Sequence, residues 1–184
     1  MVNRKFQNLL TICQKVGKVG KFQNYYINLS QMIQFFETYE CKIDDKGRLK
    51  LPSSLVKHLE NLGGNFVVKR SVFNTCLEVY PMKNWEQTIQ TIGKVNRFKA
   101  RNLEFIRKFT AGLKTVEIDK AERILISKDL KTFANLEKEV VVAGMIDYFE
   151  VWDKTAYEEN IKTNEADFAQ LTEEVMGDVN FDNE

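Results

Sequence analysis

Two pairs of side chains in this 184-residue sequence share one spacing. Asp44 is followed four positions later by Arg48, and Asp119 by Arg123. Each pair lies in a short polar stretch between apolar runs: Ile43-Asp44-Asp45-Lys46-Gly47-Arg48-Leu49 and Ile118-Asp119-Lys120-Ala121-Glu122-Arg123-Ile124. An aspartate at the start of a turn accepts hydrogen bonds from backbone N–H groups two residues on, and an arginine four residues later can pair with it and hold the loop. The same geometry fixes the fork of the guanidinium, so that a rigid loop presents it to a planar acceptor edge such as guanine, or to phosphate. The first role is structural and the second is recognition.

Loops that present such pairs need strands on either side, and the two copies predict the same ones. The segment 43–55 aligns with 118–130 at an offset of 75. Self-similarity at a fixed offset means that the fold is built from two copies of one unit. In each half a strand (Tyr39 to Ile43; Thr115 to Ile118) enters the polar turn and a second leaves it (Arg48 to Leu51; Arg123 to Ile126). A helix follows, the first capped by Ser53 or Ser54 and stopping at Gly63-Gly64, the second capped by Ser127 and running to about Asn135. Two further strands complete each half, Asn65 to Arg70 with Leu77 to Tyr80, and Glu139 to Ala143 with Tyr148 to Trp152; their β-branched and aromatic content favours strand over helix. Between the halves, Trp85 to Gly112 changes to helical spacing, and its aromatics are expected to be core. After Trp152, an amphipathic acidic stretch carrying Tyr157, Ile161, Phe168, Leu171 and Val175 predicts one or two helices on the outside of the fold or against a neighbouring subunit.

The formal net charge is only +1, which by itself argues against a nucleic-acid binder. The sum is a cancellation. From Asp153 onward there are ten acids and two bases, so residues 1–152 carry +9. Five of those positives (Arg4, Lys5, Lys15, Lys18, Lys21) fall in residues 1–31, which contain no acid and no sustained period. That stretch reads as an N-terminal extension, disordered or an over-called start ahead of Met32; the competing reading is a basic arm that touches phosphates.

Enzyme chemistry lacks its parts. His58 is the only histidine, and no HExxH, GxSxG or GxxxxGK[ST] occurs. Cys13, Cys41 and Cys76 form no CxxC, so neither a zinc knuckle nor a disulfide framework is indicated, and a reducing compartment is the simpler reading. No metal or cofactor is expected. No run approaches the roughly 20 apolar residues of a membrane span, and the short patch Leu9 to Ile12, bracketed by Asn8 and Gln14, does not read as a signal peptide.

Tyr39 to Pro52, Cys76 to Pro81 with Trp85, Glu117 to Ile126, Leu136 to Val141 and Phe149 to Trp152, taken in order, resemble the MraZ family of bacterial transcriptional regulators, built from two tandem SpoVT-AbrB-like units. The resemblance covers about residues 33–176. It implies an α+β fold, a double-split β-barrel made by two repeats in one chain (37–82 and 113–155), with connecting helices at 83–112 and an acidic helical tail at 156–184. It further implies a cytoplasmic, nucleoid-associated protein whose partners are double-stranded DNA and itself, as a ring-like homo-oligomer on short G-rich direct repeats upstream of the division and cell-wall gene cluster. By position, Arg48, Lys46 and Arg123 become the DNA contacts, with Asp44 and Asp119 as loop-orienting partners. The second copy departs from the family pattern, with Glu122 where Gly is usual and Ser127 where Pro is usual. Glu122 should adopt positive φ at a steric cost and repel phosphate beside Arg123, which makes the first loop the main reader. The alternative from another class is an oligomeric protein-interaction module whose loops are structural, since one fold hosts many functions.

Overall fold

A computed structural model of the chain describes residues 35–60 and 64–177. The N-terminal extension at 1–31, the Gly63 half of the first helix stop and the last residues of the acidic tail lie outside the described residues. Among the described residues, eight strands and six helices follow in order: β1 (Thr38–Ile43), β2 (Arg48–Lys50), α1 (Ser53–Glu60), β3 (Asn65–Arg70), β4 (Leu77–Pro81), α2 (Met82–Gly93), α3 (Ala100–Thr110), β5 (Lys114–Glu117), β6 (Arg123–Leu125), α4 (Lys128–Phe133), β7 (Glu139–Met145), β8 (Tyr148–Asp153), α5 (Lys154–Asn160) and α6 (Glu165–Gly177).

The strands form one antiparallel sheet in the order β5-β3-β4-β8-β7-β1-β2-β6. Its outer strands, β5 and β6, are consecutive in the chain, and Asp119 N–H donates to the Arg123 carbonyl at 2.8 Å across their turn, so the sheet nearly closes into a barrel. The α+β double-split barrel of two repeats is therefore the observed architecture. Its pairing crosses between the repeats. β1 of the first lies against β7 of the second (Tyr39 opposite Val142), and β5 of the second lies against β3 of the first (Phe66 opposite Val116). β2 pairs with β6, and β4 with β8, joining equivalent strands directly. The pseudo-twofold axis relating the repeats passes through those two ladders, on opposite sides of the barrel.

Alternation explains the inside. Leu49, Phe66, Val68, Leu77 and Val79 from the first repeat meet Ile124, Val140, Val142, Phe149 and Val151 from the second in one buried cluster. Leu55 and Leu59 of α1 and Leu130 and Ala134 from α4 add to it at equivalent positions. Fully burying a side chain of this size is worth about 1.5–3 kcal/mol. β3, β4, β7 and β8 are buried on both faces, as their near-continuous apolar runs require. Ser127 occupies the cap position of α4, but its hydroxyl donates to Asp129 Oδ1 (2.6 Å) rather than accepting from the helix backbone.

The outer face of the β4·β8 ladder holds the main departure from an apolar interior. Glu78 and Glu150 are direct cross-strand partners and both are buried. Glu78 Oε2 accepts from Lys69 Nζ (2.7 Å) and Tyr80 Oη (3.0 Å), whereas Glu150 accepts from the Trp152 indole (2.8 Å). The repeat equivalent of Lys69 is Ala143, so the pair of carboxylates has one buried lysine. Burial lifts the Glu150 carboxyl above its ordinary range; the indole bond opposes this and the Glu78 charge adds to it. A raised carboxyl pKa in the native state means more bound protons than in the unfolded chain, so this group subtracts stability as pH rises from the ordinary carboxylate range through its raised value. Glu150→Gln should therefore melt higher than the parent chain in mildly alkaline buffer, with the difference shrinking toward acid pH in paired thermal melts.

α2 and α3 cover this face through Trp85, stacked on Phe109 at 6.0 Å, with Lys69 Nζ 4.5 Å from the Phe109 ring centre. The expectation that the aromatics of 85–112 are core holds for Trp85, buried with Val67 and Tyr80, and for Phe109, packed against them, but not for Phe98, which is fully exposed, or Phe105, which is 43 % exposed. The helical period holds, but the two helices form an arm rooted on the barrel rather than a layer inside it. Amphipathic spacing demands a partner for the apolar face without saying that the partner is in the same chain.

Candidate nucleic-acid interface

The two Asp-x-x-x-Arg loops are copies at the level of single hydrogen bonds. Asp44 Oδ1 accepts from the backbone N–H of Lys46 (3.0 Å) and Arg48 (2.9 Å), and Oδ2 from Arg48 Nε (2.6 Å). Asp119 Oδ1 accepts from Ala121 (2.8 Å) and Arg123 (3.0 Å), and Oδ2 from Arg123 Nε (2.9 Å) with Nη2 at 2.7 Å. Both carboxylates are held below the usual carboxylate range, Asp44 first by the Arg48 backbone N–H and Asp119 first by the Arg123 side chain. Arg123 is correspondingly raised by its bond to Asp119.

The loops also lock each other. Gly47 C=O accepts from Ile126 N–H (2.8 Å), and at the equivalent place Glu122 C=O accepts from Leu51 N–H (2.9 Å). Gly47 has φ +80°, and a Cβ there would collide with the Ile126 carbonyl oxygen. Gly47→Ala should accordingly cost about 1–3 kcal/mol from the strained φ alone, read as a lower melting temperature. Glu122 does adopt positive φ (59°), as expected. Its carboxylate, however, turns away from Arg123 to Lys50 Nζ (2.7 Å) and Ser53 Oγ (2.9 Å), so the expected repulsion gives way to an ion pair within the fold.

Register places the arginines. In the β2·β6 ladder Arg48 faces Leu125, Leu49 faces Ile124 and Lys50 faces Arg123. Leu49 and Ile124 point into the core, so Arg48, Lys50, Arg123 and Leu125 share the outer surface. The structure thus brings the two predicted arginines onto one face, two ladder positions apart, with their aspartates at its opposite ends. Arg48 and Asp44 side chains are 37 % and 39 % exposed, Arg123 and Asp119 31 % and 41 %.

A sequence profile described as "MraZ protein, putative antitoxin-like" matches residues 34–107 and again 109–179, one match per repeat. The chain is 51 % identical over 152 residues to a protein of Christiangramia forsetii named transcriptional regulator MraZ, covering 82 % of this chain and 98 % of that one. It is 52 % identical over 146 residues to the protein of the same name from Flavobacterium psychrophilum (79 % and 93 %), and 36 % identical over 145 residues to that of Mycobacterium leprae (79 % and 99 %). The chain belongs to the MraZ family.

Within an MraZ fold the ends of the β2·β6 ladder are unequal here. At the second loop Glu122 neutralises Lys50. At the first, Gly47 brings no charge, and the exposed Lys46 lines an open groove with Lys128 and Lys131 of α4, three lysines against the two carboxylates Asp45 and Glu137 on the same groove. Lys128 and Lys131 lie outside the Asp-x-x-x-Arg signature; their sequence signal is an i, i+3 pair on the short helix after β6, on the other repeat from the loop they flank. Burial pushes the Cys41 thiol up to about 11 and the Cys76 thiol up to about 12, which disfavours the nucleophilic thiolate at both. Among the described residues no cluster of three or more His, Cys, Asp and Glu could hold a metal ion, and no helix is long and apolar enough to cross a membrane.

Proposed function

We propose that this MraZ-family chain is a sequence-specific DNA-binding transcriptional regulator, acting in the cytoplasm on nucleoid DNA, and that it reads short G-rich direct repeats upstream of the division and cell-wall gene cluster as a ring-like homo-oligomer. The observation that carries the reading is the duplicated, outward-held guanidinium pair on one face of the β2·β6 ladder, together with relatives named as transcriptional regulators. Arg48 supplies base readout by bidentate bonds to guanine, and Asp44 holds it in place. Lys46, with Lys128 and Lys131 beside it, sets register on phosphate. Arg123, tied by both Nε and Nη2 near the Glu122–Lys50 pair, contacts DNA more weakly.

A single subunit offers few cations, so affinity comes from repetition: linked weak sites gain through effective concentration when box spacing matches subunit spacing. The test is a gel shift of the purified full chain on the DNA upstream of its own gene, in the presence of excess unrelated duplex. Retention that survives competitor supports the reading. Equal loss to specific and unrelated competitor overturns it in favour of a module that only binds protein or binds DNA without preference.

A further inference from the structure

Among the described residues, two exposed surfaces are chemically opposite. The first is α6. Every described residue from Ala166 to Gly177 is exposed, although Phe168, Leu171 and Val175 recur at i, i+3 and i+7 and line up on one face. A 13-residue helix with no packed face is marginal in water, so this stripe calls for a partner. Residues 163–184 contain seven acids and no base, so that partner must tolerate or welcome negative charge.

The second surface is the outer end of the α2–α3 arm. Residues 94–108 contain six bases and one acid, a larger positive excess than the whole of residues 32–152 shows after cancellation. Interleaved with those cations are exposed apolar side chains: Phe98, Leu103 and Phe105. A purely phosphate-facing arm has no use for bare aromatics at this density, whereas a surface that receives an acidic amphipathic helix needs both kinds of side chain. Neither surface covers the other within one chain, since both are exposed in the same molecule.

We infer that α6 of one copy docks by its Phe168–Leu171–Val175 stripe onto the α2–α3 arm of a second copy, with Asp167, Glu173 and Glu174 facing Arg101, Arg107 and their neighbouring lysines. The two patches differ, and each copy owns one of each. The contact is therefore head-to-tail, the kind that propagates from copy to copy and closes into a ring when its rotation allows. This names the junction of the ring in the proposed function and rests on that reading. It also assigns the arm's charge to assembly and leaves the β2·β6 face free for DNA.

The test uses the full chain with two variants, Leu171→Asp with Val175→Asp on α6, and Arg101→Glu with Arg107→Glu on the arm. All four positions are exposed, so the barrel's melting temperature serves as the folding control. Native mass spectrometry and sedimentation velocity should find the parent chain assembled and each variant monomeric, with at least a tenfold loss of assembled species at the same concentration. An equimolar mixture of the two variants retains one intact junction per pair, so it should give heterodimers and nothing larger. If both variants assemble like the parent chain, this junction is wrong while the ring stands. A parent chain that is monomeric at every concentration overturns the ring and the junction together. An arm variant that assembles normally but loses DNA in the gel shift overturns the junction and makes the arm a phosphate-binding surface.

Discussion

Arg48→Ala should abolish retention of the promoter fragment in competitor while leaving the oligomer as the parent chain forms it. The guanidinium lies outside the core and makes its bond within its own loop, to Asp44, so its removal leaves the barrel's packing untouched. Each bidentate pairing of arginine with guanine carries about 1–3 kcal/mol of discrimination. In a ring that engages several boxes at once, the deficit recurs at each engaged subunit and multiplies in the overall affinity. Arg123→Ala should do less, because that guanidinium is already held by two nitrogens beside a neutralised lysine. Lys128→Ala should weaken all duplexes alike and lower the slope of log affinity against log salt by about one for each phosphate the lysine neutralises. Undiminished specific binding by the Arg48 variant would remove that residue from the interface and return the loop to a structural role.

The largest expected drop in stability comes from the other side of the barrel. Lys69 is completely buried, its ammonium sits 2.7 Å from Glu78, and Glu78 stands directly across from Glu150. Lys69→Met keeps most of the side chain's volume but leaves a buried carboxylate without its cation, next to another. Breaking one half of such a pair costs about 3–5 kcal/mol. For a chain of this size that is a fall in melting temperature of roughly 6–20 °C. Adding Glu78→Gln to Lys69→Met should restore most of it, because replacing both partners of a buried ion pair is often neutral. A double variant as unstable as the single one would mean that Lys69 matters through its packing under Phe109 rather than through its charge.

What the sequence makes legible is local. The Asp-x-x-x-Arg loops can be read because each of their bonds spans two or four residues, and duplication at a fixed offset shows that the spacing is not chance. The strands are legible from alternation and β-branched content, to within a residue or two at their ends. Strand neighbours are not, for alternation says that a strand has an inside and an outside but not which strand lies beside it. Tyr39 opposite Val142 and Phe66 opposite Val116 have no local signature. Nothing in the strand Asn65 to Arg70 marks Lys69 as buried; it lies at 0 % exposure beneath Phe109 of the arm. The charge count places a positive excess ahead of Asp153, and residues 94–108 of the arm, with six bases and one acid, carry more of it than the first loop does.

The crossed pairing has a consequence for synthesis. β1 leaves the ribosome about a hundred residues before β7, which is some 5–20 s at ordinary elongation rates. During that interval the first repeat has a strand edge whose intended neighbour does not yet exist, and β3 waits in the same way for β5. On a polysome the same neighbour is already available from the chain ahead. Until β7 emerges, the edge of β1 that it will cover is an unpaired row of backbone donors and acceptors, so the barrel cannot close before nearly the whole of the second repeat is made.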